Sequence, residues 1–264
     1  MKLFCRKYGE GPPLIILHGL LGSSDNWVTI AKKLGSLFTV YLPDLRNHGN
    51  SPHDHIHDYE SMNNDLLELV SDLGLVKFFL AGHSMGGKTA MLFSSLRPEM
   101  IGGLLVADIS PFTDSKRKTE AMFENTLILR SVLDCDLSVK SRDEVEKALS
   151  EKISSQRIRE LIMKNLRRRD DTSFEWKINA LPLLENLEKI VGDVPFKNPE
   201  NCQVSGFPVI FLKGENSGHL KISDYQNISR VFPAAEFRTI PGAGHWIQAD
   251  NPKAVTEAIA SLNS

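Results

Sequence analysis

Ten residues, Phe78-Phe79-Leu80-Ala81-Gly82-His83-Ser84-Met85-Gly86-Gly87, constrain this chain more than any other stretch. An apolar run breaks into Gly-x-Ser-x-Gly and continues as Lys88-Thr89-Ala90-Met91-Leu92-Phe93-Ser94. The run predicts a buried strand and the segment after Gly86-Gly87 predicts a helix. Ser84 therefore sits on a tight strand-to-helix bend, with a strained backbone and its hydroxyl exposed at the strand's end. Gly82 and Gly86 keep side chains out of the bend. The helix N-terminus turns its amides toward the hydroxyl, which favours negative charge developing there. Glycine-serine strings also occur as plain turns; the strand before and the helix after make Ser84 a candidate nucleophile.

Other apolar runs end in turns in the same way: Leu14-Ile15-Ile16-Leu17, then 38–42, 104–107, 208–212 and the β-like 236–240. Unbroken apolar strands separated by helical segments predict an α/β fold, a mostly parallel central sheet with helices on both faces. Helices are expected at 27–34, 59–73, 88–96, 222–231 and 252–262. In the second of these, Met62, Leu66, Leu69, Val70 and Leu73 recur at helical spacing, a stripe that belongs to core packing. Between 111 and 206 the alternation stops, and helices are expected at 117–132, 142–152, 157–169 and 174–189. That stretch reads as a helical cap inserted into a core made of 1–110 and 207–264, folded over the strand ends where the serine lies.

With 264 residues and 41% hydrophobic content the chain can bury one large core plus an insertion. Its 31 basic and 33 acidic residues leave a net charge of −2, which argues against nucleic acid or an anionic membrane as the main partner. No apolar run approaches the roughly 18 residues that span a bilayer. Charges within Met1-Lys2-Leu3-Phe4-Cys5-Arg6-Lys7 interrupt what a secretion signal would keep apolar. Cys5, Cys135 and Cys202 are odd in number and widely spaced, so a reducing compartment is expected rather than a disulfide framework. The expectation is a cytoplasmic protein, monomer or homodimer, acting on a small molecule.

A serine hydroxyl needs a base to take its proton as it attacks, usually a histidine oriented by a carboxylate. Of eight histidines, His245 stands in Ile240-Pro241-Gly242-Ala243-Gly244-His245-Trp246, directly after the last strand, at the sheet edge where open α/β folds bind ligands. His18 and His83 read as neighbours of the site. His53, His55 and His57 alternate in a polar loop and could hold a metal, but a solvated loop is the favoured reading. For the carboxylate, Asp108 closes the strand at 104–107 and is favoured; Glu215, in the turn after the next strand, is the alternative. The tetrahedral intermediate needs donors. The backbone amides of Met85 and, from His18-Gly19-Leu20-Leu21-Gly22, of Leu20 are the candidates. Asp44 and Arg46 read as loop ties. Arg167-Arg168-Arg169 read as a solvated face, with acyl-CoA phosphates as the sharper alternative.

The order of His18-Gly19-Leu20-Leu21-Gly22, Asp44-Leu45-Arg46-Asn47-His48-Gly49, Gly82-His83-Ser84-Met85-Gly86-Gly87-Lys88 and Gly242-Ala243-Gly244-His245-Trp246 resembles the α/β-hydrolase superfamily over essentially the whole chain. The wording looks like a branch of small bacterial esterases and thioesterases related to mitochondrial hydrolase-domain protein eleven. That branch also carries Gly-x-Asn-Ser, as Gly214-Glu215-Asn216-Ser217 does here. The resemblance implies the α/β-hydrolase fold, with the cap inserted after the strand that family counts as its sixth and the acid at Asp108. Ser217 departs from the broader superfamily, which places aspartate there. It further implies a serine hydrolase of short- to medium-chain carboxylic esters or acyl thioesters that needs no metal or organic cofactor. Carbon–carbon bond hydrolases and menaquinone-pathway lyases on the same scaffold are the alternative, and a binding module without catalysis is a third.

Overall fold

Apolar runs without polar alternation form the middle of the sheet, as full burial on both faces requires. The computed structural model describes residues 1–170, 173–197, 200 and 202–263. Its strands are β1 (Cys5–Tyr8), β2 (Pro13–Leu17), β3 (Thr39–Pro43), β4 (Phe78–His83), β5 (Ile101–Ala107), β6 (Leu166–Asp170), β7 (Ser173–Trp176), β8 (Val209–Gly214) and β9 (Ala235–Ile240). The main sheet runs β1-β3-β2-β4-β5-β8-β9, with β1 antiparallel to β3 and every other pairing parallel. β1 has no counterpart among the expected strands. Its mixed sequence Cys-Arg-Lys-Tyr is only partly buried, so no apolar run announces it.

The helices are α1 (Val28–Leu34), α2 (Tyr59–Asp72), α3 (Met85–Leu96), α4 (Ser115–Leu133), α5 (Arg142–Ser150), α6 (Gln156–Met163), α7 (Ala180–Glu185), α8 (Leu187–Val191), α9 (Tyr225–Val231), α10 (Ile247–Asp250) and α11 (Pro252–Ala260). Successive strand residues point to opposite faces. Ile15 and Leu17 join one core with Leu80, Leu104, Val106 and Phe211, and the α2 stripe of Met62, Leu66, Leu69 and Val70 packs there. Leu14 and Ile16 join the other with Ala81, Leu105, Leu212, Val255 and Ile259.

Between β5 and β8 the chain leaves the sheet and builds a third core from Leu129, Val145, Leu149, Ile162, Phe174 and Leu183, which also receives Leu21. This segment is not all helical. The helix expected at 157–169 ends at Met163, and β6 pairs with β7 as an antiparallel hairpin, Leu166 opposite Trp176. Phe174 and Trp176 lie at a period of two, and the aromatic and arginine side chains suit a half-exposed strand better than a helix. Arg168 lies over the Phe174 ring at 4.6 Å. Of the positions expected in the insertion, 171, 172, 198, 199 and 201 lie outside the described residues.

Candidate active site

Ser84 joins β4 to α3 with φ 52° and ψ −119°, a conformation that costs a non-glycine residue of order 1–3 kcal/mol. Its amide donates to the Ala107 carbonyl at 3.1 Å, tying the bend to the end of β5. A side chain at Gly86 would place Cβ 2.5 Å from the His18 carbonyl oxygen and 2.6 Å from that of Leu17, so only glycine lets α3 start against β2. The four non-glycine residues with positive φ, among those described, are Leu21, Asn47, Ser84 and Asp108. All four stand in the loops at the carboxyl edge of the sheet, so backbone strain is concentrated where the candidate residues meet.

Asp108 follows β5 and is fully buried. One carboxylate oxygen accepts from the Gly214 amide at 2.8 Å. The other accepts from the Ser217 hydroxyl and, at 2.8 Å, from His245 Nδ1. The pairing sets the imidazole tautomer: hydrogen on Nδ1, lone pair on Nε2. Burial pushes the Asp108 carboxyl up from its ordinary range, and the Ser217 and Gly214 donors oppose it. Burial also lowers the His245 imidazole to about 4, with the Arg157 charge adding and Asp108 opposing. His245 is therefore neutral at pH 7. Glu215 points elsewhere, accepting from the Gly242 amide at 2.7 Å. Ser217, the residue in place of the more usual aspartate, hydrogen-bonds the carboxylate that is present.

Two further imidazoles flank His245. His219 stacks on it with ring centroids 3.7 Å apart and planes 24° apart. His83 lies 4.6 Å away on a tilted plane, and its Nε2 donates to the His245 carbonyl at 2.8 Å. Burial holds both near a pKa of about 3, so neither brings a competing charge at neutral pH. His83 is thus a neighbour that grips the His245 backbone. His219 went unread in the sequence, because nothing in a polar turn announces a ring stack.

The turn after β2 is shaped by buried side chains. Gly19 O accepts from His18 Nδ1 at 2.9 Å and from the Gly22 amide at 3.0 Å. In a trans peptide the N–H points opposite the carbonyl, so the Leu20 amide is turned away from these donors. Leu20 and Met85 both line the cavity beside Ser84. Among the described residues, neither amide is taken by an acceptor of the chain. Leu21 is held at both ends: its amide donates to His48 Nε2 at 3.2 Å, and its carbonyl accepts from Asn165 Nδ2 at 2.8 Å. His48 and Asn165 carried no readable signal, since each acts through one long-range backbone contact.

These groups open onto a cavity of about 600 Å³ lined by Ser84, His245, His83, His219, Lys88 and Trp246, with apolar walls that include Tyr59, Ile128 and Ile190. Lys88, one turn beyond Ser84, is buried, and burial pulls its ammonium down to about 8, against the pull of Asp193. The His53, His55 and His57 positions do not converge. The first two face solvent, whereas His57 is buried with Nε2 3.4 Å from the Met85 sulfur, a departure from the expected solvated loop. Asp44 and Arg46 do tie loops. Asp44 accepts from the Ser24 and Asn50 amides, and Arg46 forks onto buried Asp65 at 2.6 and 2.8 Å. Arg167, Arg168 and Arg169 are exposed on β6 and do not line the cavity.

The profile of the alpha/beta hydrolase fold family matches residues 12–252. This chain belongs to that family. It is 35% identical over 253 residues to the mouse sn-1-specific diacylglycerol lipase ABHD11, covering 95% of this chain and 80% of that one. To Esterase YbfF of Escherichia coli K12 it is 29% identical, over 94% and 91% of the two chains. The solved structure of a marine microorganism esterase superposes with a TM-score of 0.92 at 40% identity, covering 99% of each chain. The chain is thus related to ABHD11 and to bacterial esterases, and by that kinship it is an esterase-type hydrolase. No helix among the described residues is long and apolar enough to cross a membrane.

Proposed function

We propose that this chain hydrolyses short- to medium-chain carboxylic esters and acyl thioesters through an acyl-enzyme on Ser84. The observation that carries the reading is the 2.8 Å contact between Asp108 and Nδ1 of His245, whose ring lines the same cavity as Ser84. As the Ser84 hydroxyl oxygen bonds to the substrate carbonyl carbon, His245 Nε2 takes its proton. The Leu20 and Met85 amides receive the oxyanion, and losing one such donor typically costs about 10²–10³ in rate. The imidazolium then gives its proton to the leaving alkoxide or thiolate as the C–O or C–S bond breaks. Water attacks the acyl-serine, its proton passes to Nε2, and collapse returns it to Ser84 with release of the carboxylic acid. Asp108 orients the ring and offsets its transient charge.

The mostly apolar cavity supports acyl chains of short to medium length. Residues 111–206 act as a cap domain over the core of 1–110 and 207–264, and the cap supplies part of the pocket wall, Ile128 and Ile190 included. Three free thiols, at Cys5, Cys135 and Cys202, support a reducing, cytoplasmic setting. The test is release of 4-nitrophenol from the acetate and butyrate esters, and of thiol from butyryl-N-acetylcysteamine. Ser84→Ala is expected to lower each by at least about 10³-fold. Unchanged turnover in that variant contradicts the reading.

A further inference from the structure

Lys88 lines the cavity and is only 2% exposed. Its ammonium donates to the Gly192 carbonyl at 2.5 Å and the Thr113 hydroxyl at 3.0 Å, both uncharged acceptors. Among the described residues it enters no ion pair; Asp193 acts on it only through space. The other cations lining the cavity are differently placed. Arg117 is neutralised by Asp224 at 2.7 and 2.9 Å and by Asp114 at 2.7 Å. Lys221 lies 3.7 Å from Asp114, and the exposed Lys116 lies 3.8 Å from Glu120. Lys88 is thus a buried ammonium whose direct partners are uncharged, an arrangement that is costly by itself. An ammonium also has three donors, and two are used.

Its place is as telling as its charge. Lys88 follows Ser84 by four residues, and the Lys88 amide donates to the Ser84 carbonyl at 3.0 Å. Ser84 and Lys88 line the same cavity, so a substrate whose carbonyl sits on Ser84 shares that space with the ammonium. The acyl half stays bonded to Ser84 through the acyl-enzyme, so a charged group on that half remains in the cavity with Lys88 through both steps. We propose that Lys88 binds a free carboxylate on the acyl half, making the preferred substrates monoesters or monothioesters of short dicarboxylic acids. The carboxylate supplies a directly paired counter-charge and the third acceptor. This inference rests on Ser84 being the nucleophile.

The experiment compares kcat/KM for 4-nitrophenyl hydrogen glutarate with that for uncharged 4-nitrophenyl butyrate, in the unaltered protein, Lys88→Met and Lys88→Arg. Binding of glutarate is measured alongside by calorimetry. The unaltered protein is expected to favour the anionic ester by about tenfold or more. Lys88→Met is expected to lose that preference and to weaken glutarate binding by a similar factor, whereas Lys88→Arg keeps most of both. Equal preference in the unaltered protein and Lys88→Met overturns the proposal, because a lysine that merely pins Gly192 and Thr113 affects both esters alike. If Lys88→Met does not fold, absence of both ester preference and glutarate binding in the unaltered protein overturns it. Turnover of neither ester instead sinks the Ser84 mechanism, and glutarate binding then decides the anion site alone.

Discussion

At the scale of single residues, the contact between Asp108 and His245 decides which proton moves where. Asp108→Asn keeps the shape but offers the ring an amide, which accepts the wrong tautomer as readily as the right one. A fall in kcat on the order of 10⁴-fold is expected, with little change in KM; a fall of less than about tenfold contradicts the assignment. The depressed pKa of His245 carries a second prediction. The imidazole is neutral above about 4, so it is a competent base throughout the weakly acidic range. kcat/KM is expected to show no inflection near 6.5, where an unperturbed histidine titrates, and to fall only as pH drops toward 4. Half-loss of kcat/KM at pH 6.5 is the contrary result. Ser84 and His245 were legible because each sits in a distinctive glycine-rich bend. Ser217 was legible only as a missing aspartate, and its bond to Asp108 depends on two loops meeting, which local spacing does not encode.

At the scale of elements, the elbow works because β2, β4 and α3 approach closely at glycines. Gly86→Ala would drive Cβ into the backbone oxygens of Leu17 and His18, which cannot swing aside as a side chain can. An overpacking cost of at least about 1–3 kcal/mol is expected, read as a lower urea midpoint together with reduced ester turnover. An unchanged midpoint contradicts the close approach. The expected central strands lie within one to three residues of the observed ones, because buried parallel strands carry their signal in consecutive apolar residues. The β6–β7 hairpin carries a helix-like pattern for the opposite reason. Its outer face is charged, and three arginines beside scattered leucines imitate an amphipathic helix. Only the alternation of Phe174 and Trp176 spoke for a strand, and four residues are too few to settle a period.

At the scale of the whole molecule, burial holds six of the eight histidines below their ordinary pKa: His18, His48, His57, His83, His219 and His245. Unfolding frees them to bind protons near 6.5, so the unfolded chain binds more protons than the folded one in weak acid. Folding stability is therefore expected to be full above about pH 6.5 and to decline as pH falls from there toward 4. Urea unfolding at pH 8 and pH 5 measures this, and a midpoint at pH 5 equal to or above that at pH 8 contradicts it. The composition gave no hint of so many buried imidazoles, since their burial follows from loops converging over the sheet edge. That same convergence is the central claim, and covalent labelling tests it most directly. A fluorophosphonate probe is expected to attach once per chain, at Ser84 by peptide mass spectrometry, and to abolish ester hydrolysis in proportion. Labelling at Ser84 should slow sharply in His245→Ala. Full ester hydrolysis after stoichiometric labelling, or attachment at another residue, contradicts the account.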